Sequence, residues 1–152
     1  MKHVLVRRAT AAVLPLALIA SAFAMPAMAQ EFPADPGQFW DVTGIELKDG
    51  GGFAYVKWLA AEWKKDQEFA KSKGWITGYK VLSNLHARDG EPDLYLVTMY
   101  DDMPNGAESI QQRKEYFEWQ SKSVARLNEE SGNRLEIRRV MGTSMLQVLQ
   151  LK

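Results

Sequence analysis

Residues 75–100 read WITGYKVLSNLHARDGEPDLYLVTMY, and this stretch decides the fold. Two runs rich in β-branched and aromatic residues, 75–86 and 93–100, flank a polar stretch from Ala87 to Pro92. Asp89-Gly90 lies at its centre, where glycine supplies the positive φ of a tight turn. Two strands joined by so short a link predict an antiparallel hairpin. An isolated hairpin is marginal in water, so further strands are needed. Residues 39–47 supply one, short and rich in aromatic and β-branched side chains, and residues 135–151 supply another, expected to bend or bulge near Gly142.

Helical spacing fills the gaps between strands. In residues 53–73, Val56, Leu59, Ala60, Trp63, Gln67 and Ala70 recur three and four apart, with charged residues over much of the rest. Gly74 stands where a helix C-cap glycine belongs, and Lys71 and Lys73 suit the negative end of the helix dipole. A second helix is predicted up to Ser131, opened by a capping box of Asn105 with Glu108 or of Ser109 with Gln112. Its expected buried face is Ile110, Phe117, Val124 and Leu127, with Ser121 beside them, and Gly132-Asn133 ends it. The order strand, helix, strand, strand, helix, strand is α+β. It predicts a ferredoxin-like split β-α-β unit, a four-stranded antiparallel sheet with two helices on one face.

The first thirty residues are of another kind. Lys2, Arg7 and Arg8 precede an apolar run from Ala11 to Ala24, followed by Ala27-Met28-Ala29, a small-residue cleavage pattern. This predicts a signal peptide over residues 1–29 and a periplasmic or secreted protein. The run is shorter than the roughly 20 residues of a spanning helix, so no membrane association is expected after cleavage. Residues 30–38, with Pro33, Pro36 and Gly37, read as an extended, flexible leader before a domain over residues 39–152. What remains after the cut is about 123 residues, one domain by size. The signal holds three of the nineteen basic residues, so sixteen basic face nineteen acidic ones. No basic stripe interleaved with aromatics suggests nucleic acid. The chain has no cysteine, which removes thiol catalysis, iron–sulfur clusters and disulfide staples.

Both faces of the predicted sheet carry large apolar groups. In residues 93–100, Leu94 and Leu96 alternate with Tyr95, Val97 and Met99. In the last strand, Met145, Leu149 and Leu151 alternate with Leu146 and Val148. Helices cover one face, and the other needs a cover on an exported protein. Two sheets packed face to face supply it, and a homodimer is expected.

On these elements, the 53–73 helix closed by Gly74-Trp75 and the 75–100 hairpin above all, the chain from Phe39 to about Leu151 resembles the dimeric α/β-barrel superfamily. That superfamily includes antibiotic-biosynthesis-monooxygenase-like proteins. The likeness is one of shape and carries no catalytic signature; its members do unrelated chemistry on one scaffold. It implies cofactor-independent oxygenases, haem-handling enzymes, or isomerases and dehalogenases of small aromatic acids. Haem-degrading members place their histidine on a helix; His86 falls on a strand end, so a haem role is not carried over.

His86, the sole histidine after the cut, is the candidate catalytic group, against the ordinary reading of a loop-edge histidine in water. By alternation Lys80, Leu82, Asn84 and His86 share one face of their strand. If that face looks into the cleft between sheet and helices, Trp40, Asn84, His86 and Tyr100 are the expected ligand-binding residues. Tyr55 with Trp58, and Tyr116 with Trp119, fall beside the helical stripes, where aromatics either line a pocket or wrap the edge of the core. Gly50-Gly51-Gly52 before a helix lacks the lysine and hydroxyl of a phosphate loop. Asp101 and Asp102 match no calcium loop. Arg138 and Arg139 point to opposite faces of an extended strand, one suited to an interface or an anion, an exposed ion pair being the commoner fate. No metal and no cofactor is expected. Two readings remain open: an enzyme binding or oxidising a small aromatic or quinone-like compound, and a non-catalytic ligand-binding or structural protein.

Overall fold

The structure, a computed structural model, describes residues 31–152, of which Phe32–Lys152 form one compact unit. The expected signal peptide, residues 1–29, lies outside the described residues. Four strands, β1 (Ala34–Leu47), β2 (Gly78–Ser83), β3 (Leu94–Tyr100) and β4 (Arg138–Leu151), form one open antiparallel sheet in the order β2-β3-β1-β4. Helix α1 spans residues 52–72, as Gly52–Trp58, a π-helical turn Leu59–Trp63, and Lys64–Ser72. Helices α2 (Gly106–Gln120) and α3 (Val124–Asn133) follow β3, and a 3₁₀ turn, Arg134–Glu136, leads into β4. The fold is α+β and compatible with a ferredoxin-like unit. Among the described residues no helix is long and apolar enough to cross a membrane.

Strand β1 starts at Ala34, five residues before the expected Phe39, so part of the expected leader is ladder. Proline is tolerated there because β1 pairs with β3 only from Phe39 to Ile45, and Pro36 has β4 alone as a neighbour. The expected irregularity near Gly142 is a bulge: Gly44 faces Gly142 and Ile45 faces Val140, leaving Met141 extra. Strand β2 is shorter than the expected 75–86, since Thr77 and Asn84 make single backbone bonds at its ends, to Met99 and Asp93.

Helix α1 ends as its sequence predicts. Gly74 has φ of 71°, its N–H donates to the Lys71 carbonyl, and the Trp75 N–H donates to the Ala70 carbonyl, both at 3.0 Å. This pair of bonds is the Schellman closure that only glycine adopts without strain. At the start of α2, Asn105 Oδ1 accepts from the N–H groups of Ala107 and Glu108, and Glu108 Oε2 accepts from the Asn105 N–H, completing the first of the two expected capping boxes.

The expected single helix from this cap to Ser131 is broken. Ser121 takes a left-handed conformation with φ of 54°, and the Ser123 hydroxyl accepts from the Arg126 N–H to start α3. Two serines around Lys122 offer the backbone a stop and a new cap, which outweighs continuation. The expected buried face breaks up with it: Ile110 and Val124 are exposed, while Phe117 and Leu127 are half-buried. Helix α2 instead meets α1 through aromatics. Phe69 stacks on Trp119 at 4.2 Å, meets Trp75 edge-on at 5.3 Å, and lies 6.4 Å from Tyr116. Tyr116 and Trp119, which fall beside the expected stripe, are therefore the packing residues.

The core joins Ile45, Tyr55, Leu59 and Leu94, with Leu47, Trp58, Trp63, Leu96 and Ile137 packed against it. Tyr55 is 1% exposed and Val56 is 51% exposed, the reverse of the helical stripe read from sequence. The π turn is the reason. Tyr55 and Trp63 are eight positions apart, which sets them about 80° apart around a regular helix. A wide turn between them brings both to the core side.

Candidate functional site

Alternation along the ladder fixes which residues share a face. Ile45, Leu94 and Leu96 pack on α1, and Thr98 Oγ1 donates to Gln67 on that helix. By register Tyr79, Val81 and Tyr100 lie on this helix-covered face, since Tyr79 pairs with Thr98, Val81 with Leu96, and Phe39 with Tyr100. Trp40, Val42, Lys80, Leu82, Val97, Met99 and Leu146 lie on the open face. Val97 is only 1% exposed there, whereas Leu82 and Leu146 stand out into solvent.

The expected site residues are thereby distributed over three places. Trp40 is on the open face, with Lys80 Nζ 5.8 Å from its ring and its own indole N–H buried without a hydrogen-bond partner. Tyr100 is on the opposite face, its pKa raised by burial and then by the nearby Asp41 charge. Asp41 is itself raised by burial, against a lowering contact from Thr43. Asn84 and His86 are neighbours at the hairpin end: Asn84 Nδ2 donates to the Pro92 carbonyl at 3.1 Å, and Asn84 Oδ1 accepts from the His86 N–H at 3.3 Å. The Asn84 side chain ties the turn together, and His86 is exposed. The Lys80–Asn84 face looks away from the helices, contrary to the condition on which the four residues would converge, because Tyr79 and Val81 take the inner side.

That inner side holds a groove the sequence does not announce. It has a volume of about 220 Å³ and lies between α1 and edge strand β2, walled by Val56, Leu59, Ala60, Trp63, Tyr79 and Val81, with Lys64 at its rim. Leu59, Ala60 and Trp63 belong to the π turn, and such turns occur often at functional sites. The Trp63 and Tyr79 rings meet edge to face, 5.4 Å apart at 86°. The Tyr79 hydroxyl donates to the Glu68 carboxylate, and this bond, before burial and the Glu68 charge, raises the phenol's pKa. The lining is apolar, with a phenol and an ammonium at the edge. It accommodates a flat apolar body and gives one polar substituent a partner. The sequence signal was present in Tyr79 and Val81, but their side of the strand is a one-residue register question.

Among the described residues, no group of three or more His, Cys, Asp or Glu is arranged to hold a metal ion. The chain matches no protein-family model, no curated protein and no solved structure.

Proposed function

We propose that this chain is an exported small-molecule-binding protein on a ferredoxin-like scaffold of the dimeric α/β-barrel kind. Its ligand is a small aromatic or quinone-like compound held in the groove of the π turn. The observation that carries this reading is the coincidence of an apolar groove with the one π-helical turn described, lined by Trp63 and Tyr79. The homodimer forms through the open sheet face, where Trp40, Val42, Leu82, Met99 and Leu146 make an apolar surface of the sort that single domains keep covered. Binding is the function; oxidation of the bound compound is the second arm, read out as oxygen uptake.

Native mass spectrometry of the purified protein tests both parts. The wild type is expected as a dimer that takes up naphthoquinone or a substituted phenol at one per protomer. Ala60→Trp, which fills the groove from an exposed position, is expected to abolish uptake while leaving the dimer intact. Leu146→Glu is expected to give monomers, since like charges would meet in a desolvated contact. A wild type that stays monomeric at tens of micromolar (about the range where weak dimers dissociate) sinks the dimer. Ligand uptake unaffected by Ala60→Trp sinks the groove.

A further inference from the structure

The sheet runs in the order β2-β3-β1-β4, so among the described residues β4 has β1 on one side and no strand on the other. Two hydrogen bonds fix which residues face that outer edge. The Asp93 N–H donates to the Ile45 carbonyl at 2.9 Å, so Ile45 turns its backbone groups toward β3. In an antiparallel ladder the N–H and C=O of one residue point the same way, and neighbours alternate. Val42 and Trp40 therefore turn toward β4, where Ser144 and Leu146 are their partners. That leaves Thr143, Met145 and Gln147 with backbone groups aimed away from the sheet. At the far end the Lys152 N–H donates to the Pro33 carbonyl at 3.1 Å, which puts Leu149 and Leu151 in the same outward set.

Natural edges of this kind are blunted by charge, proline or a bulge. The bulge of β4 lies at Met141, before this segment. The segment itself, Thr143–Leu151, reads TSMLQVLQL, with no charged residue and no proline. All of it is exposed. It is also nearly symmetric in polarity about Gln147. Laid antiparallel against a second copy with Gln147 at the centre, Met145 meets Leu149, Leu146 meets Val148, and Ser144 meets Gln150. Only Thr143 against Leu151 joins unlike groups. In this register the outward residues map onto one another, so outward donors meet outward acceptors. Centring on Leu146 or on Val148 instead sets Ser144 against Val148 or Leu146 against Gln150.

We propose that two copies of this chain pair antiparallel through Thr143–Leu151, about a two-fold axis at Gln147, joining two four-stranded sheets into one. A two-fold contact uses the same edge on both copies and so closes on itself, leaving no free edge there for further growth. The contact does not rest on the open-face dimer. Gln147 pairs with Phe39, on the helix side of the sheet, so a contact between open faces does not bring two copies of it together.

The chain has no cysteine, so one introduced thiol reports the register without background. Across such a pair the Cα atoms stand about 5.5 Å apart, within the span of a disulfide. In the full purified protein under mild oxidation, Gln147→Cys is expected to form a covalent dimer about tenfold faster than Ser144→Cys, whose opposite position is Gln150. Met145→Lys, at an exposed position that tolerates the change, is expected to slow the Gln147→Cys linkage by about tenfold, as a charge on an edge does. No linkage by Gln147→Cys, equal rates for the two cysteine variants, or a linkage indifferent to Met145→Lys each overturns the proposal.

Discussion

Gly51→Ala is expected to destabilise the fold by about 3 kcal/mol. A methyl group built on Gly51 would stand 2.4 Å from the carbonyl oxygen of Ile137 and 2.8 Å from its Cα. Both are backbone atoms, so no rotamer change relieves the clash. The carbonyl is also fixed by Lys48, whose N–H donates to it at 3.0 Å, while the Gly51 N–H donates to the Lys48 carbonyl at 2.8 Å. The start of α1, the end of β1 and the entry to β4 therefore meet at one point with no room for a side chain. The adjacent glycines are the controls. Gly50 has φ of 74° with open space around it, so Gly50→Ala costs only the left-handed strain, about 1 kcal/mol. At Gly52 the nearest atom is Leu47 Cδ1 at 3.6 Å, an ordinary contact, and Gly52→Ala is expected to be neutral or slightly stabilising. Urea denaturation of the three variants checks the order. A Gly51→Ala protein as stable as Gly52→Ala would mean that the β4 entry is not packed against this loop.

These three glycines also show what sequence can and cannot specify. Gly50-Gly51-Gly52 announces a break in the chain, and the break is there. Which glycine is sterically required depends on Ile137, more than eighty residues away, and no local signal carries that. The same division runs through the fold. The Gly74 closure and the Asn105–Glu108 cap are set by residues within five positions of each other, the hairpin closes over the nine positions from Asn84 to Asp93, and all three formed as expected. The break at Ser121 was legible in principle in Ser121-Lys122-Ser123, but helical spacing running through Phe117, Val124 and Leu127 outweighed it. Pro33, Pro36 and Gly37 together read as a leader, which puts the expected start of β1 late; Pro36 lies inside the strand. It is harmless there, since only β4 pairs with that end.

The candidate site suffered from period two. Placing Asn84 and His86 in the cleft required Lys80 and Leu82 to face the helices, and a shift of one residue sends them all outward. The charged pair Arg138-Arg139 divided as alternation requires: Arg139 pairs with Glu46 on the open face, and Arg138 is buried beside Tyr55.

The π turn makes the last and sharpest prediction. Tyr55→Ala is expected to cost about 4 kcal/mol, the range for truncating a buried aromatic. The ring is 1% exposed, stacks on Trp58 at 5.6 Å and 18°, and carries Arg138 above it. Removing it leaves a cavity in the centre of the core and a guanidinium without its aromatic neighbour. Tyr55→Phe keeps the ring and the stack, and loses only a hydroxyl whose pKa burial raises and Arg138 partly restores. Its expected cost is about 1 kcal/mol. Val56→Ala, at a position 51% exposed, should cost well under half of the Tyr55→Ala value. A regular helix with the stripe Val56, Leu59, Ala60, Trp63 demands the opposite order, with Val56 in the core and Tyr55 at its margin. Equilibrium denaturation of the three variants therefore decides between two windings of one helix. If Val56→Ala proves the more damaging, α1 has no wide turn at Leu59–Trp63, and the groove which that turn shapes against Tyr79 and Val81 goes with it.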